Sequence, residues 1–129
     1  MQVKKMMPVF AIAIGLVLAV ATSGFKEGSK DKNGVNMYLF EYDNSQPYDI
    51  THVQDKGNWD LNQNAAECDQ TNEEACTISV PESDVDNPGP SATLKSSFSI
   101  TAATNSTTGT AYVSSLSDAS AQEFNRTAE

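Results

Sequence analysis

The only two cysteines of the chain, Cys68 and Cys76, are the residues whose type and spacing first suggest chemistry. Seven residues separate them, and this short stretch also carries the acidic residues Asp69, Glu73 and Glu74, with Glu67 just before it. Thiols beside carboxylates suggest three kinds of site: a zinc site, a redox-active dithiol or a structural disulfide.

The spacing and the charges favour the disulfide. Zinc sites take four ligands, and the single histidine, His52, lies 16 residues before Cys68. A reactive dithiol needs a neighbouring positive charge, whereas acidic neighbours raise the pKa of a thiol. Two cysteines of an exported chain close a short polar loop readily, so we predict a Cys68–Cys76 disulfide. A thiol-disulfide redox protein is the less favoured alternative.

A second group of acidic residues lies in the segment "SDVDNPG", where Asp84 and Asp86 are the candidate calcium ligands. Pro88 occupies a ligand position of the calcium-binding loop pattern, and Lys95 stands where the closing glutamate belongs. The pattern therefore favours a solvated acidic loop, with a loose calcium site as the alternative. We predict no resident metal and no cofactor.

No arrangement of residues in the sequence predicts catalysis. His52 is the only imidazole, and no Gly-x-Ser-x-Gly segment or phosphate-binding glycine loop accompanies it. Five aromatic residues are candidates for a glycan-stacking platform, but we expect them to form the core of a small sheet. They are Tyr38, Phe40, Tyr42, Tyr48 and Trp59. We therefore predict a protein that is not an enzyme and has no catalytic residues.

The N-terminus predicts export. Two lysines precede an uncharged apolar run, and small residues close it, which is the order of a secretory signal peptide over residues 1–21. The expected cleavage lies between Ala21 and Thr22, with cleavage after Ser23 or an uncleaved anchor as alternatives. The expected location is secreted or periplasmic, with no membrane contact after the signal is removed.

The charge of the mature chain excludes nucleic acid as a partner. Removal of residues 1–21 takes away Lys4 and Lys5, so six basic residues remain against 17 acidic ones and the net charge changes from −9 to −11. A surface this negative repels phosphate backbones, and the remaining basic residues are scattered.

The elements that must position these residues are strands and turns. The segment "VNMYLFEYD" predicts a strand from Val35, and Ile50 to Val53 is a candidate for a second. Cys76 to Pro81 alternates apolar and polar residues, which favours a half-buried strand. The segment 91–116 predicts a hairpin with its turn at 105–109, and a disordered Ser/Thr-rich segment is the alternative.

These elements predict a mainly β fold: a small antiparallel sheet or hairpins held by one disulfide. The expected organisation is a signal peptide at 1–21, a flexible leader at 22–34, a β-rich domain at 35–116 and a tail at 117–129. We expect the tail to form one helical turn or to fray, and the alternative of a disordered segment includes this C-terminal end.

The order of these features resembles a family of very small exported proteins of unknown function from Gram-negative bacteria. The resemblance lies in "KKMMPVFAIAIGLVLAVATS", the aromatic strand, Trp59, Cys68 and "ACTISV", and it covers about residues 1–80. It implies an exported small protein and no activity. We therefore expect an interaction or envelope-structural role with an unknown protein or envelope partner, with a calcium- or glycan-binding module as the alternative.

Overall fold

A computed structural model describes residues 34–65 and 68–129, and these two ranges contain one short α-helix, two 3-10 turns and eight strands. The strands are β1 (Met37–Tyr42), β2 (Trp59–Leu61), β3 (Glu74–Pro81), β4 (Val85–Asp86), β5 (Thr93–Leu94), β6 (Ile100–Thr104), β7 (Ala111–Leu116) and β8 (Gln122–Arg126). The helix α1 is Ile50–Val53, and the 3-10 turns are Lys56–Asn58 and Glu82–Asp84. The mainly β fold predicted from the sequence is confirmed.

The main sheet has four antiparallel strands in the order β2-β1-β3-β8. β3 lies inside this sheet with a strand on each side, and β7 also packs against it. Both faces of β3 are therefore covered, and Thr77 and Ser79 are buried together with Ile78 and Val80. The expected half-buried strand is thus a buried one on both faces, and the disulfide sulfur atoms lie beside Thr77 on the polar face.

The segment after Pro90 forms the predicted hairpin. β6 pairs with β7 in antiparallel register from Ile100 with Leu116 to Thr104 with Ala111. The hairpin packs against α1, β3 and β8, so it closes the core over the main sheet. A second small ladder joins β4 to β5, pairing Val85 with Leu94.

The expected second strand is wrong, because residues 50–53 form α1. Asp49 caps this helix: its carboxylate accepts a hydrogen bond from the backbone amide of His52 at 2.8 Å. The helix buries Val53 completely and leaves Ile50 40% exposed. A side-chain cap at a single aspartate outweighs the β propensity of the short Ile-Thr-His-Val segment.

The C-terminal segment also differs from the expectation, since residues 122–126 form β8 at the edge of the main sheet instead of a helical turn or a frayed tail. β8 pairs with β3 from Glu74 with Arg126 to Ser79 with Gln122. Its buried residue is a polar one, Asn125, which is only 2% exposed. An apolar period is therefore missing from this strand, and the ordered fold extends beyond residue 116.

The predicted signal peptide, the Ala21–Thr22 cleavage site and nearly all of the leader lie outside the described residues. Within the described ranges no helix is long and apolar enough to cross a membrane. The core cluster of these ranges contains Tyr38, Phe40, Tyr42, Val53, Trp59, Ala75, Ile78, Val80, Val85, Ala92, Phe98, Ile100, Ala102, Ala111, Val113 and Ala121.

Candidate binding groove at a sheet edge

The structure confirms the Cys68–Cys76 disulfide, with 6.4 Å between the two Cα atoms. A register shift between β3 and β8 explains the position of Cys76: Ala75 pairs with Asn125 and Thr77 pairs with Phe124, so Cys76 is the extra residue of a β-bulge. The hydroxyl of Thr77 lies 3.5 Å from the Cys68 Sγ and 3.6 Å from the Cys76 Sγ. The disulfide therefore joins the loop before β3 to a bulge inside the sheet.

The acidic residues around the cysteines hold the C-terminal end of the chain. Asp69 accepts hydrogen bonds from the backbone amide and the hydroxyl of Thr127 at 3.0 and 2.6 Å. These bonds, with that from the Thr71 amide, lower the pKa of Asp69 to about 2. Glu73 accepts a bond from the amide of Ala128 at 3.2 Å. The carboxylates thus serve as structural acceptors for the residues that follow β8.

Glu74 is the buried member of this acidic group and pairs with Arg126. The Nε atom of Arg126 donates to Oε1 of Glu74 at 2.7 Å, and the Glu74 side chain is only 5% exposed. The Arg126 Nη2 atom also donates to the Tyr48 hydroxyl at 2.8 Å. Opposite charges at the paired ends of β3 and β8 therefore hold the C-terminal strand in register.

Asp84 and Asp86, the candidate calcium ligands, do not belong to a cluster of metal ligands in the described residues. In the parts of the chain that the structure describes, no three His, Cys, Asp or Glu side chains form a group able to hold a metal ion. Burial, and then the neighbouring carboxyl group of Asp118, raise the pKa of Asp84 to about 6.

The aromatic residues form the core, not an open platform. Trp59 is 5% exposed, and its indole Nε1 donates to the carbonyl of Val53 at 2.8 Å. Tyr42 donates its hydroxyl to the carbonyl of Pro47 at 2.6 Å, and burial raises the pKa of Tyr42 to about 12. The ring centroids of Tyr42 and Trp59 are 5.2 Å apart in an edge-to-face arrangement. Tyr48 lies half-buried beside them.

His52 lies on the surface and contacts a carboxylate. Its Nδ1 atom is 2.7 Å from Oδ1 and 2.8 Å from Oδ2 of Asp49, the residue that caps α1. Among the residues that the structure describes, no serine hydroxyl or cysteine thiol forms a hydrogen bond with this ring. His52 and Asp49 therefore both belong to the N-terminal cap of α1.

A groove of about 400 Å³ lies between β2 and the segment that leads into β5. Its apolar lining comes from Phe40 in β1, Trp59 and Leu61 in β2, and Ala92 and Leu94 near β5. The volume is at the lower end of the range for ligand sites in proteins. β2 is the outermost strand of the main sheet, so this groove runs beside a sheet edge.

The lysine in the groove is already bound by the protein. Lys56 Nζ donates to the carbonyl oxygens of Lys95, Ser96 and Phe98 at 3.0, 2.8 and 2.6 Å. An ammonium group has three hydrogens, so these three bonds use its donors completely. Lys56 therefore links the 3-10 turn before β2 to the segment before β6 and offers no open donor to an anionic ligand.

The opposite face of β2 is acidic. Asp60 pairs with Glu41 across the β1–β2 ladder, and both line a hollow of about 320 Å³ together with Asp43. Glu41 accepts a hydrogen bond from Asn62 at 2.8 Å. Asp43 accepts two bonds from Ser45, which lower the pKa of Asp43. Asp60 itself is exposed.

Sequence reasoning missed this groove. The groove combines residues that are more than 30 positions apart, such as Leu61 and Leu94. Both lie in strands of two or three residues, which are too short to give a periodic signal in the sequence. The only local sign was the apolar pair Trp59 and Leu61 around Asp60, which has the period of a strand. Comparisons with models of protein families, with curated proteins and with solved structures found no match.

Proposed function

We propose that this chain is an exported, non-enzymatic β protein that acts by binding another protein of the cell envelope or surroundings. The observation that carries the proposal is the groove beside the outermost strand β2, since sheet edges and apolar grooves are surfaces that partners use. The disulfide supports export, because such bonds persist in oxidising compartments. The apolar N-terminal run of the sequence supports it independently.

The chemistry of the described residues favours binding over catalysis. His52 is occupied by Asp49, and Lys56 is occupied by three carbonyl groups. The groups that remain accessible around the groove are the half-buried Leu61 and Leu94, the exposed Asp60 and the backbone of the edge strand, which are components of a protein-binding surface.

Site-specific photo-crosslinking tests the proposed binding role in cells that express the full chain. A photoreactive amino acid replaces Asp60 at the groove, and the matched control replaces Ser114, which is exposed on β7. We expect a discrete adduct with another protein from position 60 and none from position 114. Equal adducts from both positions, or none from either, would contradict a binding role for this edge.

Export is tested separately by cell fractionation and intact-mass measurement. We expect the chain outside the cytoplasm, starting at Thr22, with both cysteines blocked against alkylation until a reductant is added. Recovery of a chain that retains residues 1–21 in the cytoplasm, with free thiols, would contradict export.

A further inference from the structure

The outer side of β2 lies beside the groove, and within the described ranges its only strand partner is β1 on the inner side. In the β1–β2 ladder the amide of Asp43 donates to the carbonyl of Asn58 at 2.8 Å, and the amide of Asn62 donates to the carbonyl of Leu39 at 2.9 Å. Because inward- and outward-facing residues alternate along an antiparallel strand, Leu61 directs its amide and carbonyl away from β1. No strand of the described residues pairs with this outer side of β2.

The two faces of β2 carry opposite chemistry. Leu61 lies beside its ladder partner Phe40 on the face that lines the apolar groove. Asp60 lies beside its partner Glu41 on the other face of the ladder, and Asp60 and Leu61 both line the groove and the acidic hollow. A strand added next to β2 would place alternate side chains on these two faces, since successive residues of a strand point to opposite sides.

We propose that the outer edge of β2 binds an extended segment of a partner protein in which apolar and basic side chains alternate. The segment pairs with the outward amide and carbonyl of Leu61 as an additional strand. Its apolar side chains enter the groove beside the half-buried Leu61 and Leu94, and its Lys or Arg side chain lies beside Asp60 and Glu41. This inference rests on the proposed binding function and specifies the chemistry of the partner.

Charge distinguishes a basic partner from a second copy of the chain. The chain has a net charge of −9, with 17 acidic residues, so two copies repel each other at a face that already carries Asp60 and Glu41. A basic segment is attracted by the same field and is steered to the groove. The groove offers no open cationic donor to an acidic segment, because Lys56 is saturated by carbonyl groups.

Labelled synthetic peptides test the inference by fluorescence anisotropy with the disulfide-bonded full chain. The probe is an eight-residue peptide of alternating leucine and lysine, and the controls are a leucine–glutamate peptide, a block peptide of four leucines and four lysines, and a peptide of residues 22–33. We expect the alternating basic peptide to bind at least about tenfold more tightly than each control, and to bind more weakly at higher salt. Equal binding of the acidic or block peptide would overturn the inference.

Backbone methylation of the peptide tests strand pairing without any change to the protein. Methylation of every second amide removes the donors on one edge of the peptide, and the other frame of methylation removes those on the opposite edge. We expect one frame to abolish binding and the other to leave it within about threefold, because only one edge of the peptide faces β2. If the two methylated peptides bind with equal affinity, the backbone edge of the peptide is not recognised, and the proposed strand pairing would be overturned.

A protein variant identifies the acidic face. Asp60→Lys should weaken binding of the basic peptide about tenfold and strengthen the acidic one, while Glu123→Lys, an equal charge change at an exposed residue of β8, should leave both within about twofold. Tighter binding of the 22–33 peptide than of the probe would assign the edge to the chain's own leader. A dimer in sedimentation that Asp60→Lys disrupts would assign it to a second copy. Both results would overturn a partner segment.

These outcomes separate the inference from the function on which it rests. A crosslinked partner at position 60, together with no binding of the alternating peptide, would remove the proposed peptide chemistry and leave the binding function. The absence of both would remove both proposals.

Discussion

Single residues in this protein join distant segments through side chains that form hydrogen bonds with backbone amide and carbonyl groups. Asn125 in β8 accepts a hydrogen bond from the amide of Val113 at 2.9 Å and donates to the carbonyl of Val113 at 2.9 Å. The side-chain amide thereby takes the place of a strand residue and joins the hairpin of β6 and β7 to the main sheet. It also donates to the side chain of Asn72 at 3.0 Å.

Replacement of Asn125 by alanine should lower the free energy of unfolding by about 3 kcal/mol, because the buried amide and carbonyl of Val113 lose their partners. Urea denaturation followed by tryptophan fluorescence measures the effect. Glu123→Ala on the same strand is exposed and should change the free energy by less than about 0.5 kcal/mol. Equal effects of the two substitutions would contradict the bridging role.

The carboxyl pair of Asp84 and Asp118 should make stability depend on pH. Burial, and then the neighbouring Asp118, raise the pKa of Asp84 to about 6, while the hydrogen bond from Asp84 lowers the pKa of Asp118. Lys95 is the charged group that opposes the shift at Asp84. A folded-state pKa above the unfolded value of about 3.8 means that the folded protein holds the proton more tightly.

The stabilising contribution of Asp84 is therefore present below about pH 4 and is lost as pH rises through about 6. We expect the melting temperature to fall between pH 4.5 and 7.5 and Asp84→Asn to flatten this fall, because an amide donates to Asp118 at every pH. Asp86→Asn, an exposed neighbour, is the matched control. A slope that Asp84→Asn leaves unchanged would contradict the raised pKa of Asp84.

At the scale of elements, β3 is the strand on which the other structures depend. It lies between β1 and β8 and carries the bulge at Cys76. Its residue Glu74 forms an ion pair with Arg126 of β8. The disulfide limits the freedom of the loop before β3, and the carboxylates of that loop bind the residues after β8. The cysteine-bearing loop and the C-terminal strand therefore form one connected unit.

Removal of the disulfide in a Cys68→Ser, Cys76→Ser double variant should lower the free energy of unfolding by about 2.5 kcal/mol, as expected for a loop of this length. Chemical denaturation measures the loss, and the unmodified chain in reductant provides the control, which should unfold at the same denaturant concentration as the double variant. An unchanged midpoint in both samples would show that the loop is held by its hydrogen bonds alone.

At the scale of the molecule, the fold closes only when its C-terminal strand is in place. β8 covers the outer edge of β3, and the hairpin of β6 and β7 contacts both strands. The two cavities described above lie at the other edge, beside β2. β8 is the other edge strand of the sheet and packs against β7, whereas no strand of the described residues pairs with the outer side of β2.

Deletion of residues 122–129 should therefore abolish cooperative unfolding and the near-ultraviolet circular dichroism of the buried Tyr and Trp side chains. Deletion of residues 127–129 alone is the control: it removes the contacts to Asp69 and Glu73 and leaves β8, so the protein should stay folded with reduced stability. A cooperative transition in the longer deletion would mean that β8 is dispensable.

The sequence by itself determined the class of fold, the disulfide and several local elements. The aromatic strand β1, the hairpin of β6 and β7 and the Cys68–Cys76 pair each have a signal within a short window, because strand period, turn residues and cysteine spacing are local properties. The same locality explains the error at Ile50–Val53, where the cap at Asp49 decided the helix.

Tertiary structure alone decided the roles of the remaining residues. β8 lacks an apolar period, so its place in the sheet depends on Asn125, Arg126 and acceptors more than 50 residues away. The acidic residues beside the cysteines bind the C-terminal end of that strand and the residues after it. The groove lies where the edge strand β2 faces the segment that leads into β5. Strand order and the meeting of distant side chains are properties of the whole chain, and no short stretch of sequence contains them.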